Sequence, residues 1–141
     1  MANIFHTFYT TATPDEVYDT FCTPLHLNNW WTLESEGTPQ VNEIYRLYFG
    51  EPYDWRVKVT IALRGKQFEW KVLDADQDWN PTRFGIEISA LTNKTKIDFY
   101  HLDWPEGNDH YKHSSYCWAL LLHGMKRYME ANDIIPFVQR A

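Results

Sequence analysis

A length of 141 residues, with 19 Asp and Glu against 13 Lys and Arg, gives a formal net charge of −6, and no stretch gathers Lys and Arg into a phosphate-tracking face, which argues against a nucleic-acid partner. No segment approaches the ~20 consecutive apolar residues of a membrane span, and the residues after Met1 carry neither the basic nor the apolar block of a signal peptide. Without a Pro/Gly/Ser-rich linker, repeat or low-complexity tract, the expectation is one domain over residues 1–141, soluble and cytoplasmic, a monomer or homodimer with no membrane insertion.

Asn3 to Thr10 reads as a first strand, with Ile4, His6 and Phe8 on one face and Phe5, Thr7 and Tyr9 on the other. Thr13-Pro14-Asp15-Glu16 then starts a helix. Thr13 can cap, Pro14 suits the first helical position, and the two acids complement the helix dipole. That helix runs through Val17, Tyr18, Phe21 and Cys22 until Pro24, and a second short one is expected from Leu25 to Trp31. A short strand near Thr32 to Glu36 and the turn Gly37-Thr38-Pro39 lead to a strand from Glu43 to Gly50, with Tyr45, Leu47 and Phe49 on one face. In the next strand Trp55, Val57, Val59 and Ile61 alternate with Arg56, Lys58 and Thr60, and after Gly65-Lys66 a further strand covers Phe68 to Val72. Thr82 to Ala90 and Lys94 to Leu102 alternate in the same way, with Ile97, Phe99 and His101 opposite Lys96, Asp98 and Tyr100. Successive strands joined by short turns predict antiparallel pairing, because a parallel crossover needs a dozen or more residues. The turn-rich stretch from Asp103 to Asn108 precedes a long helix from Asp109 to about Asn132. In it Trp118, Leu122, Met125 and Met129 share one face, which must be buried against the sheet.

Seven Trp, nine Tyr and eight Phe make up 17% of the chain. Large flat side chains that fail to interdigitate leave space, and aromatic-lined concavities are the usual form of small-molecule sites. The competing expectation is a densely packed aromatic core.

Polar chemistry is sparse. His110, His113 and His123 have no converging third ligand, so no metal site is expected. Asp74 to Asp78 opens like a calcium loop, but Trp79 stands where the turn requires Gly and Gly85 where it requires Glu, so the segment reads as an acidic turn. Asn93-Lys94-Thr95 is read as a hairpin turn. Cys22 and Cys117 are read as reduced packing residues. Cys117 lies four residues from His113 on a helix, close enough for contact, but its place beside Trp118 argues for an inert thiol. Glu69 and Glu87 fall on the polar faces of their strands and give no paired-carboxylate site. His101 ends an apolar stripe, where it can bond a ligand or tie down a loop.

The run Thr13 to Asp19, the Trp30-Trp31 pair, the Thr95 to His101 strand, and the helix beginning Ser114 to Trp118 with Leu122 and Tyr128 together resemble one family. It is the C-terminal-domain-like group of activators of the heat-shock protein 90 ATPase, within the START/SRPBCC (Bet v 1-like) helix-grip superfamily. The resemblance covers nearly the whole chain. It implies an α+β helix-grip fold in the order β-α-α-β6-α, a strongly bent antiparallel sheet around a long C-terminal helix, with a hydrophobic cavity between. The family often has Gly immediately before the helix Trp. Cys117 occupies that place here, which implies a narrower cavity or a shifted helix.

The residues and the resemblance together lead to one expectation, a binder of a small, largely apolar molecule, with no catalysis, cofactor or metal. Its site would be lined by Trp31, Tyr45, Phe49, Trp55, Val57, Trp70, Phe84, Phe99, Trp118, Leu121 and Met125, with His101 as polar anchor. The alternatives are a protein-interaction or co-chaperone-like module, and an enzyme like the superfamily's cyclases and hydrolases. The second would need a polar pair, for which His101 with Tyr45 or Tyr48 comes nearest.

Overall fold

Seven strands form one curled antiparallel sheet, and the chain begins and ends its path through them side by side. In the computed structural model, which describes residues 1–141, β1 (Ala2–Thr10) is followed by helices α1 (Pro14–Cys22) and α2 (Pro24–Trp30). The strands β2 (Glu34–Glu36), β3 (Ile44–Tyr48), β4 (Asp54–Leu63), β5 (Gln67–Asp74), β6 (Arg83–Leu91) and β7 (Lys94–Trp104) come next, then the long helix α3 (Asp109–Ala131) and a 3-10 turn at Phe137–Gln139. The sheet order is β1-β7-β6-β5-β4-β3-β2. The two short helices therefore carry the chain from one edge of the sheet to the other, and the remaining strands meander back to pair β7 with β1. This is the helix-grip arrangement.

The helix ends obey local chemistry. Thr13 Oγ1 accepts the Glu16 N–H at 3.2 Å with Pro14 in the first turn. Pro24 ends one helix by lacking an N–H and opens the next. Asn108 Oδ1 accepts the Tyr111 N–H at 3.0 Å to start α3, which stops at Asn132 in the left-handed region, φ 51°. Trp118, Leu122 and Met125 are buried on α3 as their spacing requires, and Met129 is half-buried. The His26 ring and the Asn29 amide both bond the Tyr128 hydroxyl, at 2.6 and 3.0 Å, and so pin α2 to α3.

Two bulges redirect side chains that simple alternation assigns elsewhere. Between Val59 and Ile61 the β4–β5 register slips, so Val59 stays opposite Trp70 while Ile61 pairs with Glu69 on the outer face. The strand-face expectation for Ile61 is thereby corrected. In β7 the register slips beyond His101, with Asp103 at φ 70°, and the strand runs on to Trp104, which turns inward and is fully buried. Glu69 does face outward but is not solvated. Gly85 on the neighbouring strand leaves room over the sheet, and Glu69 packs there with 3% of its side chain exposed, 3.2 Å from Arg83 Nη1.

The concave face carries two connected aromatic packs. Tyr18 and Phe21 of α1 and Trp30 of α2 gather with Tyr45, Phe68 and Trp70 of the sheet. Trp31, Trp79, Phe84, Phe99, His101 and Trp104 gather with Trp118 of α3, and Trp70 meets Phe84 at 5.4 Å to join the packs. No helix is long and apolar enough to cross a membrane.

Candidate functional site

The space between the sheet and α3 is mostly filled by these rings. Two openings remain, one of about 260 Å³ between β1 and α3 with a largely polar lining that includes His6, Thr7, His123 and Lys126, and an aromatic cleft of about 200 Å³ at the other end, walled by Trp31, Phe49, Trp55, Trp79, Trp118 and Leu121 and edged by Asp76, His110, Ser114 and Cys117. Each wall comes from a different part of the fold. Trp31 follows the C-terminal residue of α2, Phe49 follows β3, Trp55 lies in β4, Trp79 comes from the β5–β6 connection, and α3 supplies Trp118 and Leu121. Drug-sized ligands usually occupy ~300–1,000 Å³. This cleft suits one or two fused rings, or the tip of something longer.

The floor is fixed by a hydrogen-bond chain with one consistent direction. The Trp118 indole can only donate, so its Nε1–H fixes His101 Nδ1, 3.1 Å away, as the acceptor. The imidazole proton is therefore on Nε2, which donates to Thr82 Oγ1 at 2.8 Å, and the Thr82 hydroxyl donates in turn to the Trp79 carbonyl. His101 has no exposed surface, and burial pushes its pKa down to about 3. The ring is a neutral tie between α3, β7 and the loop that carries Trp79.

The rim is polar and equally organised. Asp78 Oδ2 accepts from His110 Nδ1 at 3.0 Å and from Asn108 Nδ2 at 3.3 Å, and these two bonds hold its carboxyl below the usual range. The loop bearing Trp79 is thus stapled to the first turn of α3. The Asn80 side chain closes the same loop, accepting the Ala75 N–H at 3.0 Å. Cys117 Sγ lies 3.4 Å from His113 Nε2, but burial raises the thiol's pKa and keeps it protonated. Cys22 is buried too and pushed up to about 12. No group of three or more His, Cys, Asp or Glu side chains is placed to hold a metal ion.

The family model for activator of Hsp90 ATPase homolog 1-like protein matches residues 11–130. The chain belongs to this family. The Aha1 dimer of Colwellia psychrerythraea is 26% identical, over 94% of this chain and 99% of that one, with a TM-score of 0.86. A Staphylococcus saprophyticus protein shares the fold at 13% identity, 95% and 96% coverage and a TM-score of 0.80. DynU16, a protein in the dynemicin biosynthetic locus, does so at 15% identity and a TM-score of 0.78, the match covering 94% of this chain and 48% of DynU16. No curated protein matches the chain in sequence.

In this Aha1-like chain the twelve residues singled out in the sequence divide into two groups. Trp31, Phe49, Trp55, Trp118 and Leu121 meet at the cleft. Tyr45, Val57, Trp70, Phe84, Phe99, His101 and Met125 are buried in the packed interior and do not line it. The Tyr45 hydroxyl donates to the Cys22 carbonyl at 2.6 Å, and burial raises its pKa. Trp79, Asp76, His110, Ser114 and Cys117 were not among the expected lining residues. For Trp79 one signal was present, since a Trp inside an acidic turn carries apolar area that solvent does not reward.

Proposed function

We propose that this member of the family binds a small, largely apolar molecule of one or two fused rings in the aromatic cleft and does not transform it. The observation that carries the reading is the open space of about 200 Å³ walled by Trp31, Phe49, Trp55, Trp79 and Trp118. Such walls offer large contact area at low side-chain entropy cost. Tyr45 and His101, the interior pair considered for proton transfer, spend their polar atoms on protein partners, so the reading assigns binding alone. The test is saturation-transfer NMR and calorimetry with 2-naphthol. Saturable binding at one site per chain, lost in Leu121→Glu and kept in Leu25→Glu on the exposed side of α2, is the expected result. Equal binding by the two variants would place the ligand elsewhere.

A second reading is self-association. Tyr116 and Leu120 on α3 are 63% and 45% exposed, and the Colwellia psychrerythraea Aha1 structure is a dimer. Sedimentation velocity of the parent and of Tyr116→Glu/Leu120→Glu tests it. A dimer in the parent that the double variant converts to monomer supports the reading, and a monomer in both rejects it.

A further inference from the structure

The five rings at the cleft form a closed circuit. Trp31 to Phe49 is 5.4 Å between ring centroids, Phe49 to Trp55 4.7 Å, Trp55 to Trp79 4.7 Å, Trp79 to Trp118 5.9 Å, and Trp118 back to Trp31 5.0 Å. Four of the five are Trp, the ring whose face attracts a cation most strongly, out to ~6 Å from its centroid.

The charge at the rim has the matching sign. Asp76 lines the cleft, and none of the ion pairs of the molecule involves it. Its side chain also makes no hydrogen bond, while its backbone carbonyl accepts from the Trp79 and Asn80 N–H groups at 2.9 and 3.1 Å. No Lys or Arg lines the cleft, and the one imidazole there, His110, is bound to Asp78. A carboxylate left without a counter-charge beside a ring of indoles is complementary to a positive ligand and unfavourable to an anionic one.

We infer that the cleft is an aromatic cage for an organic cation, a small molecule ending in a methylated ammonium group, with Asp76 supplying the counter-charge. The inference rests on the reading of the cleft as a ligand site and adds a positively charged class to the neutral ring compounds proposed for it. The ammonium's methyl groups need no hydrogen-bond partners and can lie against the ring faces.

The experiment compares isosteres. Choline and 3,3-dimethylbutan-1-ol have nearly the same shape and differ in the positive charge, and 2-naphthol serves as the neutral reference for the cleft. Calorimetric titrations are run on the parent, on Asp76→Asn, which keeps the loop's backbone bonds, and on Trp55→Leu, with near-UV circular dichroism confirming the fold. Cation–π attraction of ~0.5–2 kcal/mol corresponds to choline binding on the order of two- to thirty-fold tighter than its neutral isostere. The selectivity should shrink in both variants. Parity of the isosteres in the parent, with 2-naphthol still bound, overturns the cage and leaves the apolar cleft standing. Choline selectivity untouched by both variants also overturns it, by placing the cation at another site. Failure of all three compounds to bind overturns the cage and the cleft together.

Discussion

Replacing Trp118 by Phe separates the two roles that the structure gives this residue, packing and the orientation of His101. The indole is 1% exposed, and its Nε1–H is the only partner of His101 Nδ1. Phe keeps most of the apolar bulk but leaves a buried acceptor orphaned, at a cost of about 1–3 kcal/mol, on top of roughly 1–2 kcal/mol for the smaller ring. Trp104 is the internal control. It is fully buried, yet its Nε1–H has no partner. Trp104→Phe therefore incurs the same packing loss but removes an unsatisfied donor, which offsets part or all of that loss. Urea melts followed by far-ultraviolet circular dichroism resolve the difference. The packing losses cancel, so the orphaned acceptor's ~1–3 kcal/mol over a slope of ~1–3 kcal/mol/M should place the Trp118→Phe midpoint roughly 0.3–3 M below that of Trp104→Phe. Equal losses in the two variants would refute the hydrogen-bond chain as the reason that Trp118 is a Trp.

Other outcomes follow from the same contacts. The His101 pKa, lowered from 6.5 to about 3, means that between these values the unfolded chain takes up a proton that the folded chain refuses. This contribution to stability is whole above the ordinary imidazole pKa and falls as the pH drops toward 3, by up to ~1.4 kcal/mol per unit. Urea melts of the parent and His101→Gln from neutral to mildly acid pH should show the steeper acid loss in the parent, and parallel curves would contradict the assignment. Gly85→Ala should destabilise by about 1–3 kcal/mol, because a Cβ there runs into the Phe68 carbonyl and the Tyr100 hydroxyl. A thermal melt matching the parent would show that the strands can give way. Asp78→Ala should speed amide exchange at residues 76–80 without changing it in β6, since the lost bonds tether the loop to α3. Unchanged loop exchange would show the staple to be idle.

The fold was legible wherever periodicity had one interpretation. The alternation of Ile97, Phe99 and His101, the capping run at Thr13-Pro14, and the spacing of Trp118, Leu122 and Met125 each correspond to the element they predict. Legibility ended at register slips, which a period of two does not encode. Ile61 moves to the outer face and Trp104 to the inner one through bulges set by neighbouring strands. The site was less legible for a related reason. A strand face shows which rings point inward, but not which of them another ring will cover. Tyr45, Trp70 and Phe84 all point inward and are all sealed over, whereas the rings at the cleft come from the end of α2, two strand ends, the Trp79 loop and α3, and tertiary closure alone brings them together.

The most direct test of the ligand site is a titration of isotope-labelled protein with 2-naphthol, followed through the indole N–H signals of its seven tryptophans. The account predicts saturable shifts at Trp31, Trp55, Trp79 and Trp118, which wall the cleft, and little change at Trp30, Trp70 and Trp104, which do not. Shifts concentrated at Trp30, or no saturable shift at any of the seven, would contradict it.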